Sequence, residues 1–260
     1  MKISIHIHSE YSSDSRQPVS SVIEESRRLG YDAIAITDHN TAAGSLAALE
    51  MKPDELSVIT GAEFSTDKGH ILALFIDDSI EKSCRMIPIG SGIAYEFNDL
   101  VSKVRELGGL LFLAHPLESK ATVDPSFIAC LDGYERINGR ISSGLKSKRA
   151  DELSRTLKAR FPDKVLIGGS DAHTQHEIAS VYMTSDSSDL REALLNADKI
   201  CFKRSSMAKI RFHNMKNHHK RRPAYVVRQT AAMLLGLLHD LGSAMKGNSY
   251  EVIRVREESR

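Results

Sequence analysis

The chain has 260 residues, 41% of them hydrophobic and 27% charged, with a net charge of +1. That is enough for one large core, or one core with an appendage, and it excludes a disordered, collagenous or small disulfide-stapled chain. Cys84, Cys130 and Cys201 lie far apart with no CxxC pair, no apolar stretch is long enough to cross a membrane, and the first residues lack an apolar signal core; the reading is a soluble, cytoplasmic protein without a disulfide framework.

In chain order, seven apolar runs read as strands: Ile3 to Ile7, Ala33 to Thr37, Val58 to Ala62, His70 to Ile76, Leu110 to Ala114, Gly133 to Ile137 and Val165 to Gly169. Helical spacing lies between several of them. Val19, Val22, Ile23 and Leu29 share one face of a helix that opens after Pro18 and stops at Gly30. Phe97, Leu100, Val101, Val104 and Leu107 repeat the pattern up to Gly108-Gly109, and Ala150, Leu153 and Leu157 line a third helix. Repeated strand-then-helix units predict a parallel sheet, and seven of them predict a closed or nearly closed barrel of the α/β class. In such barrels the active site lies where strands end and loops begin. Residues 1–202 form this body, with a net charge of −8. Residues 203–260 are a basic extension of net charge +9, with an apolar helical pattern through Ala231, Leu234, Leu235, Leu238 and Leu241.

The chemistry lies in the histidines. His6 and His8 are two apart on a strand, so both point to one face. Asp14 follows in the first loop, Asp38-His39 comes straight after the second run, Glu63 ends the third, and His70 opens the fourth. His115-Pro116 closes the fifth, and Asp171 and His173 close the seventh. A lone strand histidine is most often a hydrogen-bonded core or surface residue. Six histidines and four carboxylates brought to one end of successive strands are another matter. The carboxylates would repel one another and be costly to desolvate without a cation. Mixed imidazole and carboxylate donors suit Zn, Mn or Fe, so a multinuclear metal site is expected.

The motifs His6-Ile7-His8, Thr37-Asp38-His39-Asn40, Gly61-Ala62-Glu63, Ala114-His115-Pro116 and Ser170-Asp171-Ala172-His173, with Asp14 and His70 between them, resemble the PHP (polymerase and histidinol phosphatase) family of phosphoesterases. The resemblance runs in order over residues 1 to about 185 and implies a distorted (β/α)7 barrel with two or three divalent ions. It implies that His6, His8, Glu63 and Asp171 hold one ion. Glu63 would bridge to a second, joined by His70 and His115, and Asp14, His39 and His173 would hold a third. Glu135 stands where the family often carries a carboxylate, which implies a supporting role.

Two ions sharing a carboxylate make hydroxide available near neutral pH and neutralise charge on a phosphoryl group. Glu63 is thus a catalytic candidate, with Asp14 or His173 protonating the leaving oxygen. The chain has no GxxxxGK[ST] loop or GxSxG elbow. Arg16, Lys120, Arg136, Arg140 and His176 are the candidate phosphate contacts, although a solvated surface cation is the commoner role for each. Glu135 and Arg136 alternate on one strand, so only one of them faces the cavity. A small phosphomonoester or nucleotide is the expected substrate. A nuclease guided by the basic extension, or a non-catalytic accessory module, are the alternatives; salt dependence separates the nuclease. An oligomer is compatible with the sequence, and no membrane partner is expected.

Overall fold

The computed structural model describes residues 1–141, 144–203 and 250–255. Its strands are β1 (Lys2–Ile7), β2 (Ala33–Ile36), β3 (Ser57–Ile59), β4 (Gly61–Thr66), β5 (Gly69–Leu74), β6 (Met86–Ile89), β7 (Gly92–Tyr95), β8 (Leu110–Leu113), β9 (Gly133–Asn138), β10 (Val165–Ala172), β11 (Val181–Thr184), β12 (Lys199–Phe202) and β13 (Glu251–Arg254). The helices are α1 (Val19–Arg28), α2 (Ala43–Glu50), α3 (Ser79–Ser83), α4 (Phe97–Glu106), α5 (Gly144–Arg160), α6 (Gln175–Ile178) and α7 (Leu190–Leu195).

All seven apolar runs are strands of one barrel. β1 pairs with β2, β2 with β3, β8 with β9, and β9 with β10, all in parallel, and β10 returns to β1. The third run bends at Thr60. Its first part, β3, pairs with β2, and its second part, β4, meets the chain beyond β2 through a bridge between His39 and Glu63. That join carries Asn40 N–H to Glu63 O at 2.9 Å and Glu63 N–H to Asp38 O at 3.1 Å.

The expectation of an all-parallel barrel fails at β5. This strand runs antiparallel to both β4 and β8, because only Asp67 and Lys68 separate it from β4, a length that permits a hairpin and no crossover. The reversal explains how His70, which opens its strand, stands at the same end of the barrel as residues that close theirs. A second irregularity is at β1, whose upper half pairs with β10 (Ile5 with Gly169, Ile7 with Ala172) and whose lower half pairs with β11 (Lys2 with Thr184, Ile3 with Met183). β11, β12 and β13 extend the sheet outward as antiparallel strands, and the β6–β7 hairpin hangs from β4.

The core is continuous through the barrel and under its helices: Ile3, Ile5, Phe64, Leu72, Phe112, Leu113, Tyr134 and Ile167 are fully buried. Each such side chain adds roughly 1.5–3 kcal/mol. α1 buries Val19, Val22 and Ile23, and α4 buries Phe97, Leu100 and Val104; both chains turn just beyond the helix at Gly30 and Gly108, whose φ values of +66° and +71° favour glycine. Gly168-Gly169 does not end a strand, since β10 continues to Ala172. Within the extension, residues 250–255 return to the sheet through β13 on β12, while the expected helix through Ala231 to Leu241 lies outside the described residues. Among the described residues no helix is long and apolar enough to cross a membrane.

Candidate metal centre

Six histidines and three carboxylates converge at the upper end of the barrel. Glu63, fully buried on β4, is the hub. Its Oε2 lies 3.3 Å from both His6 Nε2 and His8 Nε2 and 3.0 Å from His39 Nδ1. Its Oε1 lies 2.9 Å from His70 Nδ1 and 2.9 Å from His115 Nε2. Asp171 Oδ1 approaches His8 Nε2 at 3.5 Å and His6 Nε2 at 3.7 Å. Asp14 Oδ2 faces His173 Nε2 at 2.8 Å and His39 Nε2 at 3.4 Å.

Local backbone geometry aims these groups. His6, His115 and Asp171 have φ of 62°, 28° and 52°, a left-handed region that costs a non-glycine residue about 1–3 kcal/mol. The register of β1 against both neighbours slips between residues 4 and 7. Period-two alternation puts His6 and His8 on one face, and this kink brings both imidazoles onto Glu63 and Asp171.

A further layer holds the rings. Glu135 Oε1 lies 2.6 Å from His6 Nδ1, and its Oε2 accepts from the His115 amide at 2.6 Å and from Asn138 Nδ2 at 2.9 Å. Asn138 Nδ2 also reaches Asp171 Oδ2 at 3.2 Å. Ser12 Oγ donates to Asp14 Oδ1 at 2.9 Å, lies 3.3 Å from His8 Nδ1 and accepts from the His39 amide at 3.3 Å. Asp38 sits outside the cluster, accepting from Ser9 N–H and Ser9 Oγ at 2.5 and 2.7 Å. Ser12, Asn138 and Glu177 are supports that the sequence does not announce; Glu177, four residues after His173, accepts from the His173 amide at 3.0 Å.

The electrostatics are those of a cluster compensated by protons when it holds no cation. Burial works against the charge on Glu63, yet His6, His115 and His39 hold its carboxyl well below the ordinary range. Asp171 is likewise held low against burial, by His6, His8 and His173. Burial opposes protonation of His6 too, but Glu135, Glu63 and Asp171 raise it well above the usual imidazole value. His39, against the same burial, is pushed up to about 10 by Asp14 and Glu63. His173 goes down, through burial and the neighbouring His8.

These residues fit divalent cations. His6 Nε2, His8 Nε2, His39 Nδ1 and Glu63 Oε2 are buried and make no hydrogen bond, an expensive arrangement unless something binds them. Among the described residues, four groups place their ligand atoms within 4.8 Å of one another: His8, Asp14, His39 and His173; His6, His8 and Asp171; His6, Glu63 and His115; and His39, Glu63 and His70. The nitrogen and oxygen donor set suits Zn, Mn or Fe.

The candidate phosphate contacts separate. Arg140 lies at the centre's edge, with Nε 3.3 Å from Glu177 Oε1. Arg16 is exposed on the loop that carries Asp14, and Lys120 is exposed beyond His115. Arg136 does not join the cluster: strand alternation turns it outward, where Nη1 donates to Asp151 on α5 at 2.6 Å, and Glu135 takes the inward face. His176 is exposed on α6, near Glu25 of α1. A surface cleft of about 940 Å³, lined by Ser20, Arg27, Met51 and Glu55 among others, carries none of the clustered histidines. Concavity alone does not mark this centre.

The family model for the PHP domain matches residues 4–167. The chain belongs to the PHP domain family. An uncharacterized protein of Methanocaldococcus jannaschii, MJ1587, is 29% identical over 177 residues, which are 63% of this chain and 95% of that protein. Among solved structures, a two-domain protein from Bacteroides vulgatus containing a predicted PHP-like metal-dependent phosphoesterase superposes with a TM-score of 0.56 at 17% identity, over 84% of this chain and 69% of that one. PsfC from Pseudomonas syringae superposes with a TM-score of 0.59 at 15% identity, over 85% of this chain and 98% of that one. At these identities the likeness is one of fold: the PHP barrel, distorted here by the reversed β5 and the split pairing of β1.

Proposed function

We propose that this PHP protein is a metal-dependent phosphoesterase that hydrolyses a small phosphomonoester or nucleotide. The observation that carries the proposal is the set of buried imidazole nitrogens that crowd Glu63 Oε2 without making a hydrogen bond. His6, His8, Glu63 and Asp171 would hold one ion, Glu63 with His70 and His115 a second, and Asp14, His39 and His173 a third. Bound divalent ions supply Lewis acidity toward phosphoryl oxygens and lower the pKa of a water.

The protein's own groups do the rest. Glu63 directs each carboxylate oxygen to a different set of imidazoles, so it would tie two ion positions together. Glu135 fixes the tautomer of His6 by engaging Nδ1, which leaves Nε2 for an ion. Asp14 and His173 form a pair at 2.8 Å whose carboxylate is partly open to solvent; with no ion at the third position, this pair would carry the proton for a departing oxygen. Arg140 offers a cationic donor to the phosphoryl group, and Arg16 and Lys120 stand farther out.

The test is metal content together with hydrolysis of an aryl phosphate, nucleotides and short RNA by wild type and His115→Ala. Two or three ions per chain and turnover that His115→Ala lowers at least 100-fold are expected. Bound metal without turnover of any phosphoester returns the accessory-module reading, and a protein that binds no metal overturns the proposal.

A further inference from the structure

Arg140 is held in an unusual way. Its backbone N–H donates to Asn138 Oδ1 at 2.9 Å, and its Nε donates to Glu177 Oε1 at 3.3 Å. The side chain is only 16% exposed, and its Nη2 is buried with no hydrogen-bond partner. An unused guanidinium donor away from water is costly, and a planar two-pronged donor is matched by a phosphoryl oxygen. The same Asn138 that accepts from the Arg140 amide donates through Nδ2 to Asp171 Oδ2 at 3.2 Å, which ties the arginine's backbone to the centre.

Glu177 has both oxygens committed. Oε1 takes Arg140, and Oε2 accepts from the His173 amide and from Thr174 Oγ1, both at 3.0 Å. One buried carboxylate thus fixes the arginine at the edge of the centre and the backbone of a candidate ligand within it.

We propose that Glu177 is a positioning residue that presents Arg140 to the phosphoryl group of a phosphomonoester dianion and holds that arginine in register with His173. The proposal rests on the phosphoesterase reading for the identity of the anion. A terminal dianion gains more from the additional fixed cation than a monoanionic diester does, so the pair favours monoesters.

The experiment uses metal-loaded protein and inorganic phosphate as the probe, with calorimetric binding as the primary readout and steady-state hydrolysis of an aryl phosphate beside it. The variants are Glu177→Gln, Arg140→Ala and the double variant, each checked for metal content. Glutamine keeps an acceptor for His173 and Thr174 but turns its amide donor against Arg140 Nε, so the change is directed at one contact. Glu177→Gln is expected to weaken phosphate about tenfold and to raise KM by a similar factor, with kcat within about twofold and metal content unchanged. In the Arg140→Ala background the same change should add nothing, and free guanidinium should restore phosphate binding to Arg140→Ala.

An equal loss from Glu177→Gln with and without Arg140 overturns the proposal, as does a fall in kcat and metal content at unchanged phosphate affinity. Wild type that does not bind phosphate also overturns it. The expected binding pattern with no turnover of any ester would sustain the Arg140–Glu177 pairing and remove the hydrolase reading; turnover without the coupling would do the reverse.

Discussion

Glu135 reaches His6 across an intervening strand. The two residues lie on β9 and β1, β10 runs between them, and the carboxylate oxygen sits 2.6 Å from the imidazole Nδ1. The passage exists because residue 169 of β10 is glycine: a Cβ there would stand 1.8 Å from Glu135 Oε1 and 2.9 Å from the His6 Cβ. Glu135→Gln and Gly169→Ala should therefore produce the same defect by two routes. Each is expected to lower metal affinity by about 10–100-fold, the usual effect of losing a ligand's hydrogen-bond partner. The double variant should be little worse than either single one in a metal titration, whereas additive losses would contradict a shared contact.

Protonation gives a second prediction. In the metal-free protein, burial lowers the affinity of His6, His8, His39 and His115 for protons, but the adjoining carboxylates more than reverse this, and His39 reaches about 10. His39 thus holds a proton at neutral pH that an ion must displace, and the other three hold theirs more tightly than a free imidazole does, so metal uptake should release protons and affinity should rise with pH. Titration in weakly buffered solution at pH 7 reads this directly. Uptake without proton release would contradict it.

The same shifts set the stability of the metal-free form. A histidine raised by folding contributes fully below its unfolded value near 6.5 and loses that contribution as pH rises through its folded value, which for His39 is about 10. Glu63 and Asp171, held low, contribute above about pH 4 and lose their contribution as pH falls through their lowered values. Melting temperature after chelation should thus be highest between these limits and decline on both sides. A flat profile would show that the cluster is not compensated by protons.

Gly44 offers a test of packing beside the centre. A Cβ at this position would lie 1.9 Å from Asp38 Oδ2 and 2.6 Å from Ser9 Oγ, within the contact that secures the loop after His8. Gly44→Ala is expected to destabilise the fold by about 1–3 kcal/mol in denaturant unfolding, as overpacking does. Gly90→Ala is the comparison, since it meets no atom within 4 Å; its cost should come only from its φ of +56°.

The thiols separate by environment. Cys130 is exposed, while Cys84 and Cys201 are buried. Burial pushes the Cys84 thiol up to about 12, reinforced by Asp99. A disulfide reagent at pH 8 should label one thiol quickly in the folded protein and all three after unfolding. Fast labelling of Cys84 would argue against the packing beneath α4.

Much of this architecture was legible in the chain. Strand runs such as Ile3 to Ile7 and Leu110 to Ala114 are continuous because both sheet faces are buried, and such runs read clearly. The clustering of the histidines was legible because imidazoles and carboxylates recur at strand ends. What stayed hidden depends on direction and on partners. Nothing in His70 to Ile76 says that the strand runs backwards, and the short β6, β7, β11 and β12 have too few residues for periodicity to speak. Ser12, Asn138 and Glu177 look like ordinary surface polar residues until the turn of the chain sets them beside a ligand. Arg140 and Arg136 are equivalent as cations in a sequence; strand alternation and one buried carboxylate distinguish them.

The bridge between His39 and Glu63 has a mechanical consequence. Beyond the three-residue pairing of β2 with β3, the circumference of the barrel is fastened at its upper end by these two residues and their backbone neighbours. Both also offer atoms to the cluster, so an ion gripping them would act as a clasp on a thin seam. Emptying the centre would loosen the wall as well as remove the chemistry, and amide exchange at Asn40 and Glu63, whose protons cross that seam, would register the opening first.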